Sequence, residues 1–304
     1  MGAKPRKLIL KRLARYYRRV RAIFVSDERY LIREYEKIHG EKPNLEHPET
    51  FTENLLYLML HYRNPLETLC ADKLFAREYV NACGLNHIVR PVLAVYNRAE
   101  DIDFDALPEE FFIKCNHLSG NNMIVKKSDN PDYNYIRRFY KEMLKANYYY
   151  DDREYCYKDI RPVVLCEKCL RDKNGKLPDD FKFYCFSGEL KYFMISKGEF
   201  EHNVRNHKFD ANKKSIDYYF KKKSTLPLEE AILPDNIDEM IEIVKILCKP
   251  FPHVRVDLYN LDGKIYFGEL TFHSNSGFVS VYDKDFDKEI GSWIHLEDYM
   301  DAMI

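Results

Sequence analysis

Up to Gly84 apolar positions recur at helical spacing; beyond it they fall mostly in short strand-like runs. In residues 1–24, Ile9, Leu13, Tyr16, Tyr17, Val20 and Phe24 share one helical face. "SDERYLIREYEKIHG" predicts a second helix ending near Gly40. Thr50-Phe51-Thr52-Glu53 has capping-box spacing and opens an apolar helix through Leu55, Leu56, Leu58 and Met59, which Pro65 breaks. "ADKLFAREYVNACG" predicts another helix, carrying Lys73 and stopped at Gly84. The strand-like runs are "HIVRPVLAVY", "EEFFIKCN", "NMIVKKS", "RPVVLCEKCL" and "FKFYCFSGELKYFMIS", then a hairpin near the C-terminus. A helical stretch over Tyr135–Tyr149 separates the early strands from the later ones, and "NIDEMIEIVKILCKPF" predicts a helix just before the hairpin. The pattern is that of an α+β protein with a helical N-terminal region and two groups of strands.

The hairpin is "HVRVDLYNLDGKIYFGELTFHSNSG", residues 253–277. Two β-rich runs, Val254–Asn260 and Ile265–Phe272, flank an Asp262-Gly263 turn signal. Side chains alternate faces along a strand, so Arg255 and Asp257 share a face, as do Glu269 and Thr271. A three-residue loop, Leu261-Asp262-Gly263 with Gly263 left-handed, gathers these residues, with Glu269 opposite Arg255 and diagonal to Asp257. A two-residue turn sends the carboxylates to opposite faces. The three-residue loop is therefore expected, leaving Val254, Val256, Leu258, Leu270 and Phe272 as core. Two carboxylates against one arginine leave a negative charge that a hard cation neutralises, which predicts a Mg²⁺ site.

Composition narrows the classes. The 48 basic and 49 acidic residues nearly cancel, so there is no charge bias toward nucleic acid. The eight cysteines lie singly in apolar or strand-like runs, without a CxxC pair except the near neighbours Cys166 and Cys169. With no secretory signal and no long apolar run, a reducing cytoplasm is the expected setting. Residues 1–24 break the balance, with nine Lys or Arg and no acid. Such a basic amphipathic helix suits either an anionic membrane surface or an acidic face of the protein itself. No Walker A or GxGxxG pattern occurs.

Single residues elsewhere carry weaker signals. Lys114 ends a strand beside a small-residue tip, Ser119-Gly120-Asn121, whose backbone N–H groups suit phosphate. Glu167 interrupts the apolar strand "VVLCEKCL", and Asp180 and Lys182 share a face at the start of the next strand. Arg205 and His202, in "EFEHNVRNHKFD", face an anionic acceptor or lie in a solvated polar loop.

The order of these residues resembles the ATP-grasp fold, two α+β lobes clasping ATP. More narrowly, the chain resembles the TupA-like ATP-grasp family of bacterial surface-polysaccharide biosynthesis over residues 50–295. The resemblance rests on "TFTENLLYLMLHYRNPLETLCADKLFAREYV", "IDFDALPEEFFIKCNHLSGNNMIVK", "DDFKFYCFSGELKYF" and "FPHVRVDLYNLDGKIYFGELTFHSNSGF". After the helical region at 1–70 with its basic helix, which the resemblance does not cover at its start, it implies an N-lobe at 71–166 with the phosphate-covering loop and a C-lobe at 167–304 with the metal hairpin. It further implies that Lys73 and Lys114 grip ATP phosphates and that His117–Asn122, including His117, Ser119, Gly120 and Asn121, cover them. Glu167 through Leu170, with Lys168, resembles the hinge that reads adenine, and Asp180 the ribose contact. Asp257 and Glu269 are similar to the Mg²⁺ carboxylates, and Thr271 stands where the family commonly has a ligating asparagine. Arg255 and Lys182 resemble the catalytic cations of phosphoryl transfer. "HSNSG" departs from the Pro- and Gly-containing sequence usual after that strand.

The implied activity is ATP-dependent ligation of a carboxylate, free or saccharide-linked, to an amine through an acylphosphate. A kinase acting on a sugar hydroxyl is the alternative on the same scaffold. A non-catalytic nucleotide-binding assembly protein is a third reading, against which Lys73, Lys114, Arg255, Asp257 and Glu269 argue.

Overall fold

A computed structural model describes residues 5–198, 203–216, 223–278 and 283–304, with side chains from residue 12 onward. Five helices come first: α1 (Pro5–Phe24), α2 (Asp27–His39), α3 (Phe51–His61), α4 (Pro65–Ala71) and α5 (Ala76–Ala82). The expected capping box is present at α3, where the Thr50 side chain accepts from the Glu53 amide and the Glu53 side chain accepts from the Thr50 amide. Pro65 does more than end a helix, since it occupies the first turn of α4 behind an Asn64 cap. The single helix expected over "ADKLFAREYVNACG" is interrupted, and Lys73 lies in the turn between α4 and α5. There the Asp72 carboxylate accepts from the amides of Leu74 and Phe75, ending one helix and ordering the turn before the next.

Next come β1 (Val92–Tyr96), β2 (Glu110–Cys115), β3 (Met123–Lys126), α6 (Tyr133–Met143), α7 (Tyr149–Asp152) and β4 (Val164–Lys168). The four strands form an antiparallel sheet in the order β1-β4-β2-β3. Its core, Phe111, Ile113, Cys115, Val125 and Cys166, packs on Ile136 and Tyr140 of α6. A second antiparallel sheet runs β7-β6-β5-β8-β9. It is built from β5 (Asp179–Phe186), β6 (Glu189–Lys197), β7 (Arg205–Asp210), β8 (His253–Leu261) and β9 (Lys264–Thr271), with α8 (Ile237–Cys248) before β8 and α9 (Lys284–Gly291) last. One face of this sheet, Phe181, Phe183, Val254, Val256, Leu258 and Leu270, is buried against the apolar side of α8. Each such side chain contributes roughly 1.5–3 kcal/mol of burial.

The lobe boundaries differ from the expected ones. β4 runs through residues 166 and 167 and stays in the first sheet. Cys70, Ala71, Ala76 and Val80 of α4 and α5 join the core of the second sheet. α3 and α9 also pack there, with Phe51, Leu55, Phe286 and Ile290 around Phe186 and Tyr192.

α1 turns its arginines toward the protein. Arg12 and Arg15 bind the Glu142 carboxylate at 2.5 and 2.6 Å, Arg18 binds Asp151 at 2.6 Å, and Arg19 donates to the Lys145 carbonyl. Arg12, with Lys145 and Arg15, holds Glu142 well below the usual carboxylate range, at about 2, chiefly through the Arg12 hydrogen bond. The apolar residues Leu13, Tyr16, Tyr17, Ile23 and Phe24 are left exposed. His202 lies outside the described residues, and Arg205 pairs with Glu230 at 2.7 Å.

Candidate active site between the two sheets

The hairpin register is set by a turn and a bulge acting together. Asp262 and Gly263 both have positive φ, 52° and 83°, and Leu261 pairs with Lys264, so the turn has two residues rather than the expected three. By parity alone this separates the carboxylates. A β-bulge at Gly268 restores them: Leu258 pairs with Phe267, but Asp257 pairs with Glu269 and Arg255 with Thr271. Glu269 therefore lies opposite Asp257, not opposite Arg255. Glycine is required at the bulge because a Cβ there would come within 2.8 Å of the Asp257 carbonyl oxygen.

Pairing across the sheet then builds a polar face. One row reads Lys208, Met194, Lys182, Asp257, Glu269 from β7 to β9. Arg255 and Thr271 lie in the neighbouring row, and Asp180 sits two positions before Lys182. Arg255 donates to both Asp257 oxygens at 2.6 and 2.7 Å, and its terminal nitrogen reaches Glu269 at 3.3 Å and the Thr271 hydroxyl at 3.1 Å. Lys182 pairs with Asp180. Burial pushes the Asp180 carboxyl up to about 7 against the pull of Lys182, and raises Asp257 against Arg255. Burial also acts on Glu269, but Lys73, Arg255 and Lys114 outweigh it and hold that carboxyl at about 2. The facing carboxylates of Asp257 and Glu269 offer oxygen donors of the kind Mg²⁺ takes, once Arg255 yields its contacts.

Lys73 joins the sheets. Its ammonium is 3.2 Å from Glu269, while its amide donates to the Asn116 carbonyl just past β2. The Asn116 side chain in turn donates to Asp72 at 2.8 Å. On β2, Lys114 lies 2.8 Å from Glu167 of β4, which Arg77 and Arg90 also reach at 3.0 and 3.2 Å. Burial opposes ionisation of Glu167, yet Lys114, Arg90 and Arg77 together hold it at about 2. Burial lowers the Lys114 ammonium, with Glu167 as the main opposing influence.

These contacts redistribute the expected roles. The Glu167 side chain is committed to three cations and so orients Lys114. A narrow cleft, with about 20 Å³ of accessible space, lies just past β4 and is lined by Arg90, Phe112, Cys169, Leu170, Leu177, Pro178 and Tyr259. Lys168 is exposed, and its amide donates to the Pro91 carbonyl. Ser119 and Gly120 form the exposed tip between β2 and β3. His117 does not: its ring is buried between the Asn116 side chain and the Ala146 carbonyl, and burial lowers it to about 4. Asn121 is buried as well, its oxygen accepting from the Cys115 amide at 2.5 Å.

Arg77, Arg90, Phe112, Tyr259 and Lys208 belong to this arrangement and were not evident in the sequence. Arg77 follows Lys73 by four positions, and Tyr259 continues the parity of Arg255 and Asp257; both are signals that exist only once those positions are known.

No curated protein matches the chain. Among solved structures it is similar to the ATP-grasp ligase PsnB complexed with a minimal precursor, at 14% identity and a TM-score of 0.41, covering 77% of this chain and 62% of that one. D-alanine–D-alanine ligase from Bacillus anthracis complexed with ATP is similar at 17% identity and a TM-score of 0.44, covering 83% and 71%. The ADP complex of purK, an N5-carboxyaminoimidazole ribonucleotide synthetase, is similar at 10% identity and 0.43, covering 66% and 44%. The chain thus spans less than two thirds of the PsnB chain. The TupA-like ATP-grasp family profile matches residues 53–295, which hold Lys73, Lys114, Glu167 and the whole polar face of the second sheet. The chain belongs to the TupA-like ATP-grasp family.

Proposed function

We propose that the protein is an ATP-dependent carboxylate–amine ligase acting in surface-polysaccharide assembly, with a free or saccharide-linked carboxylate and an amine as substrates. The carrying observation is the Lys73 bridge, anchored to Asn116 beside β2 and to Glu269 on β9, with Lys114 near enough to act on the same Glu269 carboxylate. In this reading the adenine lies beside Phe112, Leu170 and Tyr259, in a cleft that must widen to admit it, and the phosphates run toward Lys114, Lys73 and Lys182. Asp257 and Glu269 would hold Mg²⁺, which neutralises charge on the phosphate oxygens. The substrate carboxylate attacks the terminal phosphorus of ATP, a phosphorus–oxygen bond breaks, and ADP leaves. Arg255 stabilises the charge on the transferring group. The amine then attacks the acylphosphate carbon, forming the C–N bond and releasing phosphate and a proton. Positioning and charge neutralisation carry the rate, so no side-chain nucleophile is required.

A screen of amino acids and uronic-acid saccharides tests this, reading ADP and phosphate with and without amines. Release that needs both a carboxylate and an amine is expected. ADP formation with a sugar hydroxyl and no amine would establish the kinase instead. Attachment to an anionic membrane through residues 1–24 is part of the proposal, supported by the outward apolar residues of α1. Among the described residues no helix is long and apolar enough to cross a membrane.

A further inference from the structure

A second cluster of ligand-type side chains lies apart from the oxygen donors of the hairpin. His273 follows β9 by two residues. Its Nε2 is 3.5 Å from Glu67 Oε1 of α4, and its Nδ1 is 3.8 Å from Cys156 Sγ and 3.8 Å from Glu154 Oε2. Cys156 and Glu154 lie between α7 and β4. One donor atom each from Glu67, Cys156 and His273 falls within 4.8 Å of the others, and all three residues are buried.

We propose that Glu67, Cys156 and His273 bind a structural Zn²⁺ ion, with Glu154 fixing the histidine ring. A tetrahedral Zn²⁺ with bonds of about 2.0–2.3 Å holds its donors roughly 3.3–3.7 Å apart, against the 4.8 Å within which these donor atoms already lie. A thiolate and an imidazole select Zn²⁺ over Mg²⁺, which separates this site chemically from Asp257 and Glu269. Nε2 faces Glu67 while Nδ1 faces both the Cys156 thiol and Glu154. The thiol must therefore swing toward Nε2 for that nitrogen to take the ion and leave Nδ1–H to Glu154, whose other oxygen accepts from Ser276 at 2.9 Å. That is the usual way a carboxylate orients a ligating histidine.

A dication together with Arg63, whose charge reaches Glu67, balances a thiolate and both carboxylates. Its structural consequence is clear from the next residues. Asn275, Ser276 and Gly277 all have positive φ, at 50°, 58° and 71°, and a metal at His273 anchors that strained turn to α4 and to the Cys156 segment.

The test uses the full chain, purified without chelator and dialysed into Mg²⁺ buffer, with zinc counted by elemental mass spectrometry. About one zinc per chain is expected. Glu269→Gln should keep it, and Cys156→Ser with His273→Gln should lose it. Cobalt substitution of the wild-type chain should give a thiolate-to-cobalt absorption band that Cys166→Ser retains and Cys156→Ser lacks. Folded wild-type protein that takes up neither zinc nor cobalt, or cobalt uptake without a thiolate band, overturns the proposal. So does zinc that stays in the double variant.

Discussion

At the scale of single residues, the buried charges set the behaviour that can be measured. Glu167 is shared by Lys114, Arg90 and Arg77. Glu167→Gln leaves three cations without their anion and should cost on the order of 3–5 kcal/mol in urea unfolding. Wild-type-like stability would show the cluster to be solvated. Lys114→Met should weaken ATP binding by about 1.5–3 kcal/mol in calorimetry, the worth of a charge-assisted contact. His117 sets a pH dependence. Its folded-state value is depressed to about 4, so the folded ring stays neutral while the unfolded chain takes up a proton below the ordinary histidine value. Its contribution is complete at neutral pH and is lost as pH falls from about 6.5 toward 4, up to about 3 kcal/mol. His117→Asn should flatten that limb of the stability curve; an unchanged acid limb would place the ring in water. Lys114, Asp180 and Lys182 were legible in sequence because a charge inside an apolar strand is conspicuous. Arg77 and Arg90 were not, since their meaning comes from Glu167, distant in the chain.

At the scale of elements, the hairpin shows where parity reasoning stops. Alternation correctly assigned Val254, Val256 and Leu258 to the core and the charges to the other face. It could not distinguish an odd loop from an even turn plus one bulge, because both return Glu269 to the face of Asp257. Gly268→Ala should therefore cost about 1–3 kcal/mol by overpacking the bulge and should impair Mg²⁺-dependent turnover more than nucleotide affinity. Deleting Gly268 removes the bulge and keeps Asp257 opposite Glu269, so the deletion should retain more activity than the substitution. The reverse order would mean that the bend, not the register, is what the site needs. α1 makes a similar point. Periodicity divides its two faces correctly, but only the fold shows Arg12, Arg15 and Arg18 spent on Glu142 and Asp151. Vesicle co-sedimentation of the full chain should depend on the exposed apolar residues, so Tyr17→Ser with Phe24→Ser should release it. Binding unaffected by that pair, or absent on anionic lipid, would leave α1 as packing alone.

At the scale of the whole molecule, Lys73 bridges the two sheets, the junction at which the proposed nucleotide would act. A ligand at a hundredfold over its dissociation constant adds about 2.7 kcal/mol, so saturating Mg²⁺–ATP should raise the melting midpoint by several degrees. Lys73→Met should reduce that shift and also lower the apo midpoint, because Glu269 loses its main counter-charge; an ATP-independent midpoint in the wild-type chain would argue against nucleotide binding here. The α+β class and the two groups of strands were legible from periodicity. The assignment of α4 and α5 to the second sheet was not, because short amphipathic helices pack equally well on either neighbour until the connections are known. That assignment bears on synthesis at the ribosome. The strands of the first sheet and the helix beneath them form one uninterrupted stretch, whereas the core of the second is gathered from both sides of it. A nascent chain can therefore close the first sheet once β4 has emerged, while Leu55, Ala71 and Val80 wait for partners translated much later. In chains stalled shortly after β4, protease should cut among α3, α4 and α5 and spare the first sheet, which makes the N-terminal helices the segment most in need of a chaperone.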